Sequence, residues 1–428
     1  MIARAFVVAF ALVAVARAAR ADVPGMFGPS PTSAGLARAD VADPLPTDAP
    51  RQNAGLASEP GLRLAIAYGY AGLHLQIDDA VAPLDDAGGV TLSAQYAKAV
   101  EPWLAIGGAA SVHLPDRYLA KISFEPASQP QLLLYGAALD RASFDFVVAA
   151  RLGGASIGGG VAMSANVNGL TTFDLAQDAR GTYADGGADV ALQYRATPIA
   201  GVSWKIDELA RVGANFRGPV STELDLESVD TIAVTGNPLN GATNVFASGI
   251  AGFDPARADL AVTITPFAGL RAMLAFEYAA WGGAPRPVAD VSISLALDTT
   301  PSARRIVFAD PALRDTLSPR LGVELTRPLG SAGRAWTVRA GYSFDPSPVP
   351  KQSGFTSYAD ADRHEIALGA GLALGKWLDV AWSIDAAGQL HLLDARSFEK
   401  PDPSLPRASY DVSGAIGYGA MGLTAVLP

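Results

Sequence analysis

Apolar and polar side chains alternate with a period of two along most of this chain. In 336–344, Trp336, Val338, Ala340, Tyr342 and Phe344 form one face, and Thr337, Arg339, Gly341 and Ser343 form the other. Successive side chains of a strand point to opposite faces, so such a segment presents one apolar wall and one polar wall. The pattern recurs in about fourteen segments of roughly ten residues or more, the length at which tilted strands cross a bilayer. In a soluble sandwich a second sheet would cover the apolar wall. In a membrane barrel, lipid covers it and the polar wall lines a lumen. The chain therefore reads as all-β, a transmembrane antiparallel β-barrel.

Composition narrows the alternatives. Half of the 428 residues are apolar, yet only 17% are charged, below the roughly 25% usual for soluble proteins. Beyond the first twenty residues no apolar run reaches the length of about eighteen that a membrane helix needs. The net charge of −10, with no basic run, argues against nucleic acid as a partner. Without cysteine, disulfides and thiolate metal sites are excluded. His74, His113, His364 and His391 are widely separated and show no metal-ligand spacing, so no metal and no cofactor is expected. Gly154-Ala155-Ser156-Ile157-Gly158 fits the pattern G-x-S-x-G, but a nucleophile elbow needs a strand–turn–helix context. Here the motif straddles a hairpin, and the chain does not read as an enzyme.

Residues 1–21 have the form of a cleaved export signal. Arg4 gives the positive start, Ala5–Ala16 an apolar stretch, and Ala19-Arg20-Ala21 a small-x-small cleavage pattern. Export together with barrel patterning implies the outer membrane of a Gram-negative cell. The expected partners are the lipid bilayer, lipopolysaccharide and the barrel-assembly machinery. Residues 22–60 are of another kind: prolines at 24, 29, 31, 44, 46, 50 and 60 break both helical and strand periods. On composition this stretch is either a disordered leader or a compact plug folded into a lumen.

The barrel itself is expected over 61–428. Strands are read near 62–70, 90–99, 103–113, 143–151, 155–168, 187–204, 209–226, 257–266, 270–282, 317–327, 334–344, 362–374, 377–391 and 408–425. The segments 131–139 and 290–297 could each add one. Short connections alternate with long ones near 76–89, 114–142, 169–186, 227–256, 283–316, 345–361 and 392–407, as periplasmic turns and extracellular loops do. Alternation places Asp145, Arg151, Asp189, Gln193, Arg195, Arg211, Asn215, Arg217, Glu277, Glu324, Arg339, Asp379 and Asp385 in the lumen. Phe144, Phe146, Val190, Leu192, Val212, Phe216, Phe276, Tyr278, Val380 and Trp382 then face lipid. Charges of both signs at this density suggest an ion-paired interior and not a wide channel of one sign.

Several segments resemble the FadL/TodX family of outer-membrane transporters for long-chain fatty acids and aromatic hydrocarbons. These are Arg339-Ala340-Gly341-Tyr342 followed by Ser347-Pro348-Val349-Pro350, Asp362-Arg363-His364 and Leu368-Gly369-Ala370-Gly371; Gly213–Val220; and the strand ending at Trp281. Ser33–Ala39 and Gln52–Ala57 are similar to the family's lumenal hatch, with Asn53 and Gly55 at its Asn-Pro-Ala-Gly motif. Here Asn53 is followed directly by Ala54, and the chain ends in Val426-Leu427-Pro428, not in the terminal aromatic residue usual for barrel-assembly signals. The resemblance implies that 22–60 forms a hatch. It also implies a mechanism: a hydrophobic molecule is caught by the outer loops, passes to a pocket inside the barrel, is released by a hatch shift, and leaves sideways through the wall.

Candidate capture residues are the apolar ones in the loops: Leu132, Leu133, Leu134 and Tyr135, then Val245, Phe246, Ile250 and Phe253. Phe246, Ile250 and Phe253 recur at a spacing that would share one face of a short helix. Ordinary loop packing explains these residues equally well. A fatty carboxylate would need a cation, and Arg151, Arg195, Arg211, Arg217 and Arg339 are the candidates. A diffusion porin for small polar solutes and a barrel that only binds or supports are the competing readings.

Overall fold

The computed structural model describes residues 23–117, 130, 132, 134–135, 139, 141–178, 181–234, 241–284, 288–297, 302–307, 312–330, 333–353, 357–403 and 407–427. Over 166–193, 222–252 and 288–307 it describes the backbone alone. The export signal read over 1–21 and Leu133 lie outside the described residues.

The strands in chain order are β1 (Gly61–Ile77), β2 (Ala80–Val81), β3 (Ala87–Glu101), β4 (Leu104–Pro115), β5 (Ser143–Leu152), β6 (Ala155–Asp178) and β7 (Gly181–Lys205). They continue as β8 (Ala210–Arg217), β9 (Val220–Val234), β10 (Gly241–Asp254), β11 (Arg257–Phe267), β12 (Leu270–Ala279), β13 (Val288–Leu297) and β14 (Ser302–Val307). The last are β15 (Thr316–Pro328), β16 (Arg334–Asp345), β17 (Arg363–Trp377), β18 (Val380–Glu399) and β19 (Ser409–Leu427). Fourteen of them form a closed antiparallel barrel. β19 closes it by pairing with β1 from Leu62↔Leu427 to Ile77↔Val412.

The alternation read from sequence holds on the wall. In β16, Trp336, Val338, Ala340 and Tyr342 are exposed, while Arg339 and Ser343 are buried. Phe146, Phe216, Phe276 and Tyr278 likewise stand on the outside, and Asp145, Asn215 and Asp385 are buried within. Asp379 is a correction. It sits with Leu378 in the tight turn between β17 and β18, where both have left-handed φ values of 64° and 51°. A short Asp tolerates that conformation, so the charge marks a turn and not the lumen.

The outer surface is banded. At the short-turn end Trp103, Trp204 and Trp377 are exposed. Toward the long-loop end the outward tyrosines are tethered: Tyr68 donates to Asp116 at 2.6 Å, Tyr70 to Asp86, Tyr278 to Asp315, and Tyr342 pairs with His364 Nδ1 at 2.8 Å. Aromatic girdles of this kind flank the lipid-facing band of membrane barrels.

The long connections depart most from expectation. β6 and β7 run on through 169–186 as one tall hairpin, paired from Ala155↔Trp204 to Asp178↔Gly181. β8 does not continue to 226. It stops at Arg217 before Gly218-Pro219, because proline cannot donate to the ladder. The chain then forms β9, which pairs in parallel with β6 and antiparallel with β10. β13 and β14 extend this sheet from β10. Residues 290–297 are thus strand, but outside the barrel wall. Residues 241–254 are strand too, so the helical spacing of Phe246, Ile250 and Phe253 does not apply there. A period of two, sustained by pairing on both edges of β10, overrides it.

Residues 23–60 are packed among the barrel strands. Two short helices, α1 (Val23–Phe27) and α2 (Pro31–Ala34), are followed by one-turn 3₁₀ segments at Pro46–Asp48 and Ala54–Ser58. Ser30 caps α2, its Oγ accepting from Ser33 N at 3.3 Å. Phe27 stacks on Tyr418 with centroids 4.5 Å apart and meets His391 edge-on at 5.1 Å. Lumen-side glycines give this segment its seats. A Cβ on Gly158 would lie 2.3 Å from the Ala54 oxygen, and one on Gly341 would lie 2.4 Å from the Leu36 carbonyl carbon. Where the chain crosses Gly341, Ala37 and Arg38 take left-handed φ values of 49° and 63°, each costing about 1–2 kcal/mol.

Buried charge ties the segment down. Asp145, fully buried on β5, meets Arg51 Nε at 2.7 Å and also pairs with Arg217. Asp43 pairs with Arg211 at 2.6 Å and with Arg271 at 2.7 Å. Asp48 is different. Its nearest partner is the Ser30 hydroxyl, and burial pushes its carboxyl up from 3.8 to about 8.

Two tests follow from this packing. Replacing Gly158 by Val should unseat Ala54 and raise ion conductance in planar bilayers, with the barrel still assembled. Unchanged, negligible conductance would show that the seat does not hold the segment. Because the Asp48 carboxyl is raised on folding, its contribution is full below about pH 4 and is lost as pH rises through about 8. Protease access to 23–60 should therefore increase between pH 6 and 9, and Asp48→Asn should remove that increase. Access that is flat with pH in the unmodified protein would contradict a neutral Asp48.

Candidate functional site

Two adjoining spaces that share lining residues lie among these packed groups. The one nearer the loops is a cavity open to solvent, between them and the start of the N-terminal segment. Leu134, Leu139, Phe253, Trp281, Pro346 and Pro348 supply an apolar wall. Phe253 and Trp281 face each other with ring centroids 6.0 Å apart. Behind the wall, Leu132 and Tyr135 are buried with Val349, Tyr358, Phe398 and Tyr410 in an apolar cluster that also takes in Val23 and Phe27. These described loop residues thus pack together and against the start of the N-terminal segment.

The opposite wall is ionic. Arg38, Arg141, Arg257, Arg363, Asp254, Asp345 and Glu277 line it, and Arg38, Asp254, Arg257 and Glu277 are shared with the adjoining space. That second space is bounded by Arg51, Asn215, Arg217, Asp259 and Arg320. Each arginine of the upper wall has an acid. Arg141 lies 2.9 Å from Asp254, Arg363 2.6 Å from Asp345, and Arg38 3.0 Å from Glu365. Arg320, in the second space, lies 2.8 Å from Glu277. Arg257 is held more loosely, at 3.8 Å from Asp254 and 3.9 Å from Glu277. An ion-paired wall opposite an apolar wall suits a molecule with one polar end. No apolar ligand has to displace a lone buried charge, which would cost several kcal/mol.

The expected site residues divide. Leu134 and Phe253 line the cavity, and Leu132 and Tyr135 support it from behind. Val245, Phe246 and Ile250 fall on β10, where only the backbone is described. The arginines chosen for a carboxylate are mostly committed elsewhere. Arg151 pairs with Glu59 at 3.5 Å, Arg211 with Asp43, and Arg339 with Glu324 and Asp385, both at 2.7 Å. Arg217 reaches the second space, as does Glu277, while Arg195 is exposed on β7 and lines neither space. Asn53 and Gly55 serve the N-terminal segment. Asn53 Oδ1 accepts from Gly55 N, and its Nδ2 donates to the Val41 and Val202 oxygens at 3.0 and 2.9 Å. Sequence reasoning missed Arg38, Arg141, Arg257 and Arg320. Arg320 carried a signal, since it alternates with Leu317, Leu321 and Val323, which are exposed on the outside.

No family model matches the sequence, and no curated protein does. Solved structures match across nearly the whole chain. A FadL homologue from Pseudomonas aeruginosa superposes with a TM-score of 0.56 at 14% identity, covering 93% of this chain and 98% of that one. The monoaromatic hydrocarbon channel CymD superposes with a TM-score of 0.52 at 11% identity, covering 95% of this chain and 98% of that one. At these identities the likeness is one of fold, and by it this chain has the FadL-type barrel fold.

Proposed function

We propose that the protein carries hydrophobic small molecules inward across the outer membrane of a Gram-negative cell. The observation that carries this reading is the cavity described above, with its apolar wall of loop residues and its floor of N-terminal segment and strands. A molecule caught at Leu134, Phe253 and Trp281 leaves water for apolar contact at a gain of about 25 cal/mol per Å² buried. Onward passage needs residues 23–60 to shift, since they fill the lumen between the cavity and the short-turn end. In this role the segment is a hatch, and long-chain fatty acids or aromatic hydrocarbons are the substrate classes that fit. The FadL homologue and the hydrocarbon channel CymD support the reading through their shared fold. Release is sideways into the membrane, which spares an apolar molecule a second exposure to water. The wall is paired all round, so that exit requires a local opening of the ladder. The tall β6–β7 hairpin and the sheet of β9, β10, β13 and β14 stand in the lipopolysaccharide layer, and insertion falls to the barrel-assembly machinery.

Uptake of labelled dodecanoate and of toluene by cells with and without the protein tests this. At least one should enter several-fold faster with the protein present. Phe253→Asp should lower that rate about tenfold or more, because a charge would then face the apolar ligand. If neither compound enters faster and small sugars do, the protein is a porin.

A further inference from the structure

Ala37 and Arg38 form a left-handed turn without glycine, pressed against Gly341 of β16. Backbone of this kind persists only where its surroundings hold it. Part of the hold is the Arg38 side chain, which leaves the turn and reaches Glu365 at 3.0 Å and Asp345 at 3.3 Å. The same side chain lines both halves of the cavity. Its Nε is buried with no hydrogen-bond partner among the described residues, and so are the Nε atoms of Arg320 and Arg363 beside the same space. Arg38 is thus at once a wall of the cavity, a tie to the barrel and the brace of a strained turn.

We propose that Arg38 is a latch that opens to anionic amphiphiles. Resting on the transport reading above, the proposal is that a carboxylate entering the cavity takes the Arg38 guanidinium from Glu365 and Asp345. The Ala37–Arg38 turn, no longer braced, then relaxes and frees residues 23–60 from their seats. The exchange replaces one carboxylate partner by another, so it strands no cation. Both acids keep a second contact: Asp345 with Arg363 at 2.6 Å, and Glu365 with the Ser343 hydroxyl at 2.9 Å. A carboxylate can engage the guanidinium fork through two parallel bonds. A hydrocarbon has no acceptor to offer. It can fill the apolar half of the cavity but cannot draw the latch.

The chain has no cysteine, so a single Ala34→Cys, at a position fully buried against the barrel, reports whether the segment is seated. Maleimide labelling is followed in lipid nanodiscs with dodecanoate or dodecane, and binding of each is measured separately by equilibrium dialysis. Bound dodecanoate should accelerate labelling about tenfold or more, the scale of a clear population shift, and bound dodecane should not. Adding Arg38→Gln should give fast labelling with no probe present. Should that variant fail to assemble, Glu365→Gln weakens the same pair and should behave alike. Dodecanoate that binds without changing the rate, equal acceleration by dodecane, or slow labelling in the latch variant would each overturn the proposal while leaving transport intact. Failure of both probes to bind would remove the transport reading and the latch with it.

Discussion

A backbone in hydrocarbon has no water to bond with, so every N–H and C=O at membrane depth must find a partner in the protein. Here that demand is met by the register from Leu62↔Leu427 to Ile77↔Val412, which joins the last strand to the first. Closure removes the free edges. It also fixes the side-chain alternation, because a slip of one residue would turn Phe216, Phe276 and Tyr342 inward and Arg320 and Arg339 outward.

Closing fourteen strands creates a second problem. An eight-stranded ring is just filled by its own side chains, while one of sixteen leaves a channel. In this barrel residues 23–60 pack among the strands, and glycines on the inner face let backbone approach backbone. Charge inside is handled in two ways. Asp145 stays with two arginines, whereas Asp48, without a close cation, is held neutral by burial. Both solutions avoid an uncompensated charge, but only the first binds the segment to the wall by attraction.

The barrel wall was legible because period-two alternation depends only on the strand itself and on lipid outside. Strand number and the outward set around Phe216, Phe276 and Tyr342 followed from it. The outer sheet was not legible, since β9, β10, β13 and β14 lie beyond the lipid band. There the same alternation carries no information about which partner a strand will choose. Phe246 and Ile250, four apart, fit a helix face and a strand face equally, and pairing decided between them. The ionic wall was half visible. Glu277 and Arg217 alternate correctly, but whether an arginine serves a ligand or a neighbour depends on cross-strand register. Arg38 was hidden more deeply, because nothing in Leu36-Ala37-Arg38 favours a left-handed turn.

The two aromatic belts have a consequence for where such a protein can reside. Tryptophans at one end and tethered tyrosines at the other define the height of the hydrophobic band. Tyr68, Tyr70 and Tyr278 are anchored to carboxylates that resist entry into hydrocarbon, so the upper boundary cannot slide. A helix can answer a thicker bilayer by changing its tilt, but a closed hydrogen-bonded cylinder has little such freedom. Any mismatch must then be absorbed by the surrounding lipid, at a fraction of a kcal/mol per ångström. The barrel thus acts as a ruler, thinning or thickening its own lipid annulus and favouring membranes whose thickness it already matches.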